Sequence, residues 1–486
     1  MKHKQIVAAF IAAGLGCSSL AFAAGEADRI AQLEKQLKMM QEQIEALKST
    51  KASSQDVKDL KDQVDAQSKE VVVAGDIPGS FRIPNTDTSI RLYGIAELNY
   101  VKEFKGDNRN SDYASYLPSV PLDGTTGGRR RSGESYMHAR TSRIGIEGAM
   151  PSPYGQLGVK VEGDFNNNRG GSNGSVVGGP DGAAGYTNGY QFRLRHAYLT
   201  MGPWLFGQTW GTFMDVDNAP ETIDFNGPNG NTTIRQPMVR YTYQTPQYGN
   251  FIAALENSTS YVLDPTGGGQ GGVYTIGEAS AKNPDLVLRW DKPFTWGAVS
   301  LGLVSHELRL DDGDTGNVDD TRRGYGVRAS GSIKAWGNDT FFWNVTAGDG
   351  IGRYMNGIEG AGYDTVRQRI VLERAVGLTL GYQHRFNDQW RMNVVYGGQR
   401  SRDGEYRDWA IANGLHSGAT AGQWALNKRL DQLHVGAIWA PMKATAAGGT
   451  PPVEIGVEYM YGRRETIAGE HGDMSRLNFL ARYNFN

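Results

Sequence analysis

The chain has 486 residues, among them 65 Gly, 23 Tyr and 10 Trp, and a formal net charge of -2. Gly at roughly twice the usual ~7%, with a mean hydropathy of -0.48, marks a large Gly- and aromatic-rich β protein. Past the first 25 residues no apolar run approaches the ~20 residues of a spanning helix, the near-zero charge argues against nucleic acid as a partner, and one Cys excludes disulfide scaffolds and multi-cysteine metal sites.

Lys2 and Lys4 precede a mostly apolar run from Ile6 to Leu20, and Ala21-Phe22-Ala23 is an A-x-A processing site. Residues 1–23 therefore read as a secretory signal peptide. Its removal takes away Cys17, which suits an oxidising compartment. From Ile30 the apolar residues fall at Leu33, Leu37, Met40, Ile44 and Leu47. That is a heptad seam, with Ile30, Leu37 and Ile44 at a and Leu33, Met40 and Leu47 at d. It predicts an α-helical coiled-coil stalk over residues 24–74, on the periplasmic side, whose seam resumes at Val57, Leu60 and Val64 one residue out of phase. A single amphipathic helix lying on its own domain is the alternative, but an a/d seam is narrow for that. Gly75 and Pro78-Gly79 end the helix and open a linker over 75–88.

From Phe81 the character changes. Residues 1–80 hold nine Lys and one Arg, and residues 81–486 hold eight Lys and 32 Arg. Stretches of about ten residues with period-2 alternation recur. In one, Val159 and Val161 alternate with Lys160 and Glu162; in another, Val453, Ile455, Val457 and Tyr459 alternate with Glu454, Gly456 and Glu458. Sixteen such stretches follow between 89 and 486, two of them at 135–149 and 366–385, joined by alternately short and long connections. A soluble sandwich shows the same alternation. The export signal, the even strand count, the alternating loops and the aromatics near strand ends favour a 16-stranded antiparallel β-barrel of the outer membrane over residues 89–486. The last strand, Leu477-x-Phe479-x-Ala481-x-Tyr483-x-Phe485, resembles the terminal signal read by barrel-insertion machinery.

With apolar side chains against lipid, the opposite parity faces the lumen. Arg143, Lys160, Arg193, Arg195, Arg240, Arg289, Arg328, Arg369 and Arg391 fall there. A guanidinium offers a planar fork to carboxylate or phosphate, so these residues predict an anion-attracting constriction. The competing reading pairs them with the lumenal acids Glu162, Asp164, Asp285 and Asp291. The third long connection, 212–235, carries Asp215, Asp217, Glu221 and Asp224. Folded inward as a constriction loop, it would set acids opposite the Arg wall; as a surface loop it would not. No cofactor, metal or catalytic site is expected: the eight His lack metal spacing, and Ser305-His306-Glu307 and His434 stand alone. Arg129-Arg130-Arg131 is a basic cluster that lipopolysaccharide could meet, though a solvated loop is the default.

The chain resembles the DcaP-like outer-membrane porins. The resemblance rests on the stalk, on Gly79-Ser80-Phe81-Arg82-Ile83-Pro84-Asn85 running on to Tyr93-Gly94, on Arg193-Leu194-Arg195-His196-Ala197-Tyr198, and on Gly207-Gln208-Thr209-Trp210-Gly211-Thr212-Phe213-Met214-Asp215. Asn85 and Gly211 stand where Gly and Ser are more usual in that family. The resemblance implies a homotrimer of sixteen-stranded barrels with a periplasmic coiled-coil extension, passing small anionic solutes that include dicarboxylates.

Overall fold

The computed structural model describes residues 38–39, 41–42, 73–106, 115–124, 132–167, 190–263, 281–311, 319–444 and 449–485. The signal segment and the seam residues Ile30, Leu33, Leu37, Met40, Ile44 and Leu47 lie outside the described residues, and 38–39 and 41–42 are helical. The strands, in chain order, are β1 (Val73–Ala74), β2 (Phe81–Arg82), β3 (Ser89–Lys105), β4 (Ser135–His138), β5 (Arg143–Met150), β6 (Leu157–Asn167) and β7 (Gln191–Met201). They continue with β8 (Trp204–Trp210), β9 (Arg235–Thr245), β10 (Gly249–Glu256), β11 (Asp285–Phe294), β12 (Gly297–Asp311), β13 (Asp319–Lys334) and β14 (Thr340–Asp349). Last come β15 (Ala361–Asp364), β16 (Arg369–Leu372), β17 (Arg374–Arg385), β18 (Trp390–Ser401), β19 (Asn427–Trp439), β20 (Val453–Thr466) and β21 (His471–Phe485).

The chain forms two compact units, Met1–Arg91 with Gly148–Pro151, and Leu92–Glu147 with Ser152–Asn486. In the first, β1 pairs with β2, and β2 pairs with the opening residues of β3. Asp76 ties this junction: its carboxylate takes Arg82 at 2.7 Å, and its backbone N–H donates to the Ser89 hydroxyl at 2.8 Å. Asn85 holds φ at +62°, a left-handed backbone that Gly adopts freely and Asn tolerates better than most. The 75–88 stretch thus carries a hairpin of its own.

In the second unit each wall strand runs antiparallel to its neighbours, and the sheet closes where β21 pairs with β3, from Phe485↔Gly94 to Ser475↔Lys105. β4 and β5 share one place in the wall, both beside β3, so the closed barrel has sixteen strands. Two expected strands are interrupted. The 135–149 stretch breaks between β4 and β5, where the Ser142 hydroxyl accepts the Glu97 N–H at 3.0 Å in place of a ladder partner. The 366–385 stretch breaks at Glu373, whose N–H donates to Gly360 and whose carbonyl accepts from Gly350. That diverts β16 into a separate hairpin with β15, and only β17 joins the wall.

Along the wall Leu98, Ile144, Val161, Leu199, Val239, Leu301, Leu303, Val327 and Val457 point outward and are exposed. Their neighbours Asn99, Glu162, Met238, Ser300, Val304, Arg328 and Glu458 turn inward and are buried. An apolar face of this extent has no place in water and matches the lipid-facing band of a barrel. Among the described residues no helix is long and apolar enough to cross a membrane. At the rim of short turns the outer aromatics form pairs: Trp204 lies 4.8 Å from Tyr241, Phe294 stacks on Trp296 at 5.0 Å, and Trp390 stacks on Trp439 at 5.8 Å. Such rings suit the headgroup layer. Refolding into lipid vesicles, followed by intrinsic fluorescence, should therefore show Leu301→Arg destabilised by about 2–4 kcal/mol, with Leu301→Val nearly neutral.

Candidate functional site

Arg143, Lys160, Arg193, Arg195, Arg240, Arg289, Arg328 and Arg391 occupy the inner parity, beside outward Ile144, Val159, Leu194, Val239, Leu288, Val327 and Trp390. Arg369 does not. It sits on β16, off the wall, and pairs with Glu405 of the helix Glu405–Ala412. The period-2 pattern ran through the break at Glu373 and carried Arg369 with it.

The third long connection, 211–234, packs on inner-facing residues of β13, β18 and β20, and its acids point to that wall. Asp215 is buried against the wall, where its carboxylate accepts Ser330 Oγ at 2.6 Å and Asn218 Nδ2 at 2.9 Å. Arg289 and Arg328 stand beside it at 3.6 and 3.7 Å. The same two arginines hold the loop backbone: Arg328 Nε donates to the Phe213 carbonyl at 2.6 Å and Arg289 Nη1 to the Met214 carbonyl at 2.5 Å. Glu221 receives both arms of Arg391 at 2.7 Å. Asp224 accepts the Ser115 N–H at 2.7 Å and hydroxyl at 2.8 Å, with Arg476 at 3.8 Å. Burial opposes ionisation of Asp215, yet Ser330, Arg289 and Arg328 outweigh it and hold the carboxyl below its ordinary range. Glu221 is held down likewise, by Arg391. Burial prevails at Asp224 and pushes it up. Of the four predicted loop acids only Asp217 has an exposed side chain. An acidic face opposite the Arg wall is therefore not what the loop presents: ion pairing turns its carboxylates into anchors.

Two further segments enter the lumen. Residues 350–373 bring Ile351, Tyr354, Met355 and Ile358 into a dry cluster with Phe213, Val287 and Val304. There the Tyr354 hydroxyl donates to Asp285 at 2.6 Å, and Arg353 Nη2 donates to Gln236 at 2.8 Å. Residues 117–120 pack Leu117 and Val120 on Leu430, Met460 and Met474. The wall makes room with inner-facing glycines. A Cβ on Gly397 would lie 2.3 Å from the Asn229 carbonyl, one on Gly377 2.6 Å from that of Gly230, and one on Gly381 2.4 Å from Pro220. His306 and His434 belong to this packed side, with Nδ1 bonded to Asp285 at 2.9 Å and Glu458 at 3.2 Å.

The wall from β5 to β9 is different. Arg143, Lys160 and Arg193 keep 25%, 23% and 30% of their side chains exposed. Arg193 grips Asp164 through Nε and Nη2 at 2.9 and 2.7 Å, while Arg195 bridges Glu162 at 2.6 Å and Asp164 at 2.8 Å. Lys160 pairs with Glu147 at 2.8 Å. Among the described residues Arg240 has no ion pair. The Phe225 ring of the third loop lies 5.6 Å from the Arg193 guanidinium, so loop and wall meet there.

Parity reading missed several residues of this site. Arg482 pairs with Glu97 at 2.6 Å and Glu454 at 3.5 Å, and its inner position in the last strand was readable from the alternation. Arg235 lies 3.6 Å over the Trp210 ring, close enough to Arg193, Arg195 and Arg143 for their charges to interact. It shares the register of Trp210 on the apolar parity, so alternation alone hides it. Phe225 carries no sequence signal of its own.

A closed sixteen-stranded antiparallel barrel, apolar outside, charged within and narrowed by inserted loops, defines an outer-membrane β-barrel protein. The chain belongs to the DcaP outer membrane protein family, whose model matches residues 18–485. Its fold is similar to that of the outer membrane channel DcaP of Acinetobacter baumannii, with a TM-score of 0.65 and 23% identity over 85% of this chain and 100% of that one. More distant likenesses are Salmonella typhi OmpF in complex with daunomycin (TM-score 0.48, 13% identity, 82% and 98% covered) and the anion-selective porin from Comamonas acidovorans (0.45, 14%, 82% and 100%). No curated protein matches the sequence.

Removing Arg391 would leave Glu221 and Glu454 facing each other without their shared cation, at a cost to the docked loop of about 3 kcal/mol. Arg391→Ala is expected to raise open-channel current noise and protease cleavage within 211–234. Arg369→Ala, off the wall, should leave both as in the wild type.

Proposed function

We propose that this protein is a porin, a channel rather than an enzyme, giving passive and anion-preferring passage to small negatively charged solutes such as dicarboxylates. The observation that supports it is the lane from β5 to β9. There the five cations Arg143, Lys160, Arg193, Arg195 and Arg240 stand with three paired acids, Glu147, Glu162 and Asp164, and the side chains of Arg143, Lys160 and Arg193 keep contact with solvent. Excess positive charge beside a low-dielectric wall concentrates anions. Arg240, without an acid partner among the described residues, is the cation freest to receive a carboxylate. The third loop contributes by narrowing the lane with Phe225.

A homotrimer fits the outer surface. All ten Trp lie between 204 and 439, so β20, β21, β3, β5, β6 and β7 form one sector without tryptophan. Its outward residues include the aliphatic Leu98, Ile144, Ile146, Val159, Val161 and Leu199, all exposed, beside the smaller rings of Phe104, Phe192, Tyr459, Tyr461, Tyr483 and Phe485. What sets the sector apart is the lack of tryptophan, the ring most at home in the headgroup layer, and a wall sector without it suits a second copy of the barrel. The heptad seam, placed in the periplasm, would run the three stalks together, with lipid and lipopolysaccharide around the rest.

A neutral-solute porin is the second reading. It is favoured by the pairing of Arg193 and Arg195 with Asp164, which leaves those charges largely compensated. Planar-bilayer recordings in a salt gradient separate the two. Reversal should shift toward the chloride equilibrium potential, and Arg240→Ala should lower the anion-to-cation ratio about fivefold, the effect of about 1 kcal/mol for one charge at contact in water. A reversal potential near zero, with sugar uptake into liposomes equal to that of succinate, would move the assignment to the neutral-solute reading. Near-zero conductance would point to a plugged barrel acting as an envelope tether.

A further inference from the structure

The segment 350–373 is closed on itself by one residue. Glu373 donates its N–H to the Gly360 carbonyl at 2.8 Å and accepts the Gly350 N–H at its own carbonyl at 2.9 Å. Its side chain, 3% exposed, accepts the backbone N–H groups of Glu359 at 3.0 Å and Gly360 at 2.9 Å on Oε2. One residue thus joins the start, middle and end of the inserted loop. Gly352 and Gly360 press together inside it, a Cβ on Gly352 falling 2.4 Å from the Glu359 carbonyl carbon.

The surroundings of the carboxyl suit the neutral acid better than the anion. The other groups acting on it are the Ser401 hydroxyl from β18 and the Glu359 charge from the loop itself. From the helix Glu405–Ala412 comes Tyr406, 2% exposed, whose hydroxyl has no hydrogen-bond partner among the described residues. The adjacent Arg374 is turned to Asp349, bonded at 2.9 and 3.1 Å. Burial, reinforced by Glu359 and only partly offset by Gly360 and Ser401, pushes the Glu373 carboxyl up to about 7.

We propose that Glu373 is a proton-operated latch on the inserted loop 350–373, which holds the loop docked when its carboxyl is protonated and loosens it when ionised. In an undocked loop the carboxyl returns to its ordinary range near 4.5. Docking is then fully supported in acid, below that value, and weakens as pH rises through the interval up to about 7, beyond which it weakens no further. The docking equilibrium should fall by roughly three-hundredfold across that interval. Because Tyr354 braces Phe213 at the base of the third loop, with ring centroids 5.5 Å apart, release widens the lumen and also removes a support of the third loop.

The test is cysteine labelling of the full-length protein in lipid vesicles. Ile358→Cys reports docking, since Ile358 is 6% exposed; Val366→Cys, at a site 91% exposed, corrects for thiol ionisation. The corrected labelling rate at 358 is expected to climb steeply from pH 4.5 to pH 8, with conductance rising alongside, and to lose its pH dependence when Glu373→Gln is added. A pH step that persists in Glu373→Gln, or a flat profile with Glu373 present, overturns the latch. Should Ile358→Cys fold poorly, the conductance-against-pH curves of the wild type and Glu373→Gln decide alone. The latch rests on loop geometry, so labelling reads it even where reversal potentials show no anion preference.

Discussion

Every second side chain of a closed sheet points into the lumen, and lipid can do nothing for it. Each such residue must be hydrated, paired or packed from inside. The second unit follows from how this demand is met around the ring. From β10 to β20 the inner face is packed and paired by inserted chain: Phe213, Tyr354 and Met355 against Val287 and Val304, Leu117 against Met460, Asp215 against Ser330. From β5 to β9 inserted chain touches fewer inner residues, Gln236 through Arg353 and Arg193 through Phe225, and Arg143, Lys160 and Arg193 keep part of their side chains in water. The lane is the part of the ring that the loops fill least.

Arginine serves both halves, for one reason. A guanidinium presents five donors in a rigid fork, so one residue can bind a carbonyl and a carboxylate at once. Arg328 does so with the Phe213 carbonyl, the Ser300 hydroxyl at 2.8 Å and Asp215. Arg464 holds the Val120 and Ala425 carbonyls, each at 2.7 Å. A lysine could neutralise Asp215 but could not span these acceptors. The preference for Arg over Lys after residue 81 therefore has a structural reason in loop docking, whatever the lumen attracts.

The sequence showed the barrel readily because its alternation is enforced along whole strands by lipid on one side. Parity held at Arg143, Lys160, Arg193, Arg240 and Arg391 for the same reason. It failed where a local hydrogen bond overrode the ladder: at Ser142, which splits β4 from β5, and at Glu373, which took Arg369 off the wall. The direction of the loop acids was hidden because nothing along 211–234 tells Asp215 that Arg289 and Ser330 stand behind it. One clue was present and unread. Val287 and Val304 are apolar on the wet parity, and Gly377, Gly381 and Gly397 occupy inner positions; a wall written that way is shaped to receive chain, not water.

This changes how charge acts in the lumen. With Asp215, Glu221 and Asp224 bound to the wall behind them, the third loop offers the lane little negative charge beyond Asp217, and the field is one-sided. On the proposed reading, a passing anion would not be stretched between opposite walls. It would have to compete with carboxylates already seated, as Asp164 is on Arg193 and Arg195, or settle where none is seated, as at Arg240. Exchange at the first kind of place is weak in net energy, since each new contact replaces an old one. On the proposed anion-passing reading, selectivity would rest on Arg240, which has no ion pair among the described residues, and on the width set by Phe225, while the paired arginines keep the lane firmly shaped.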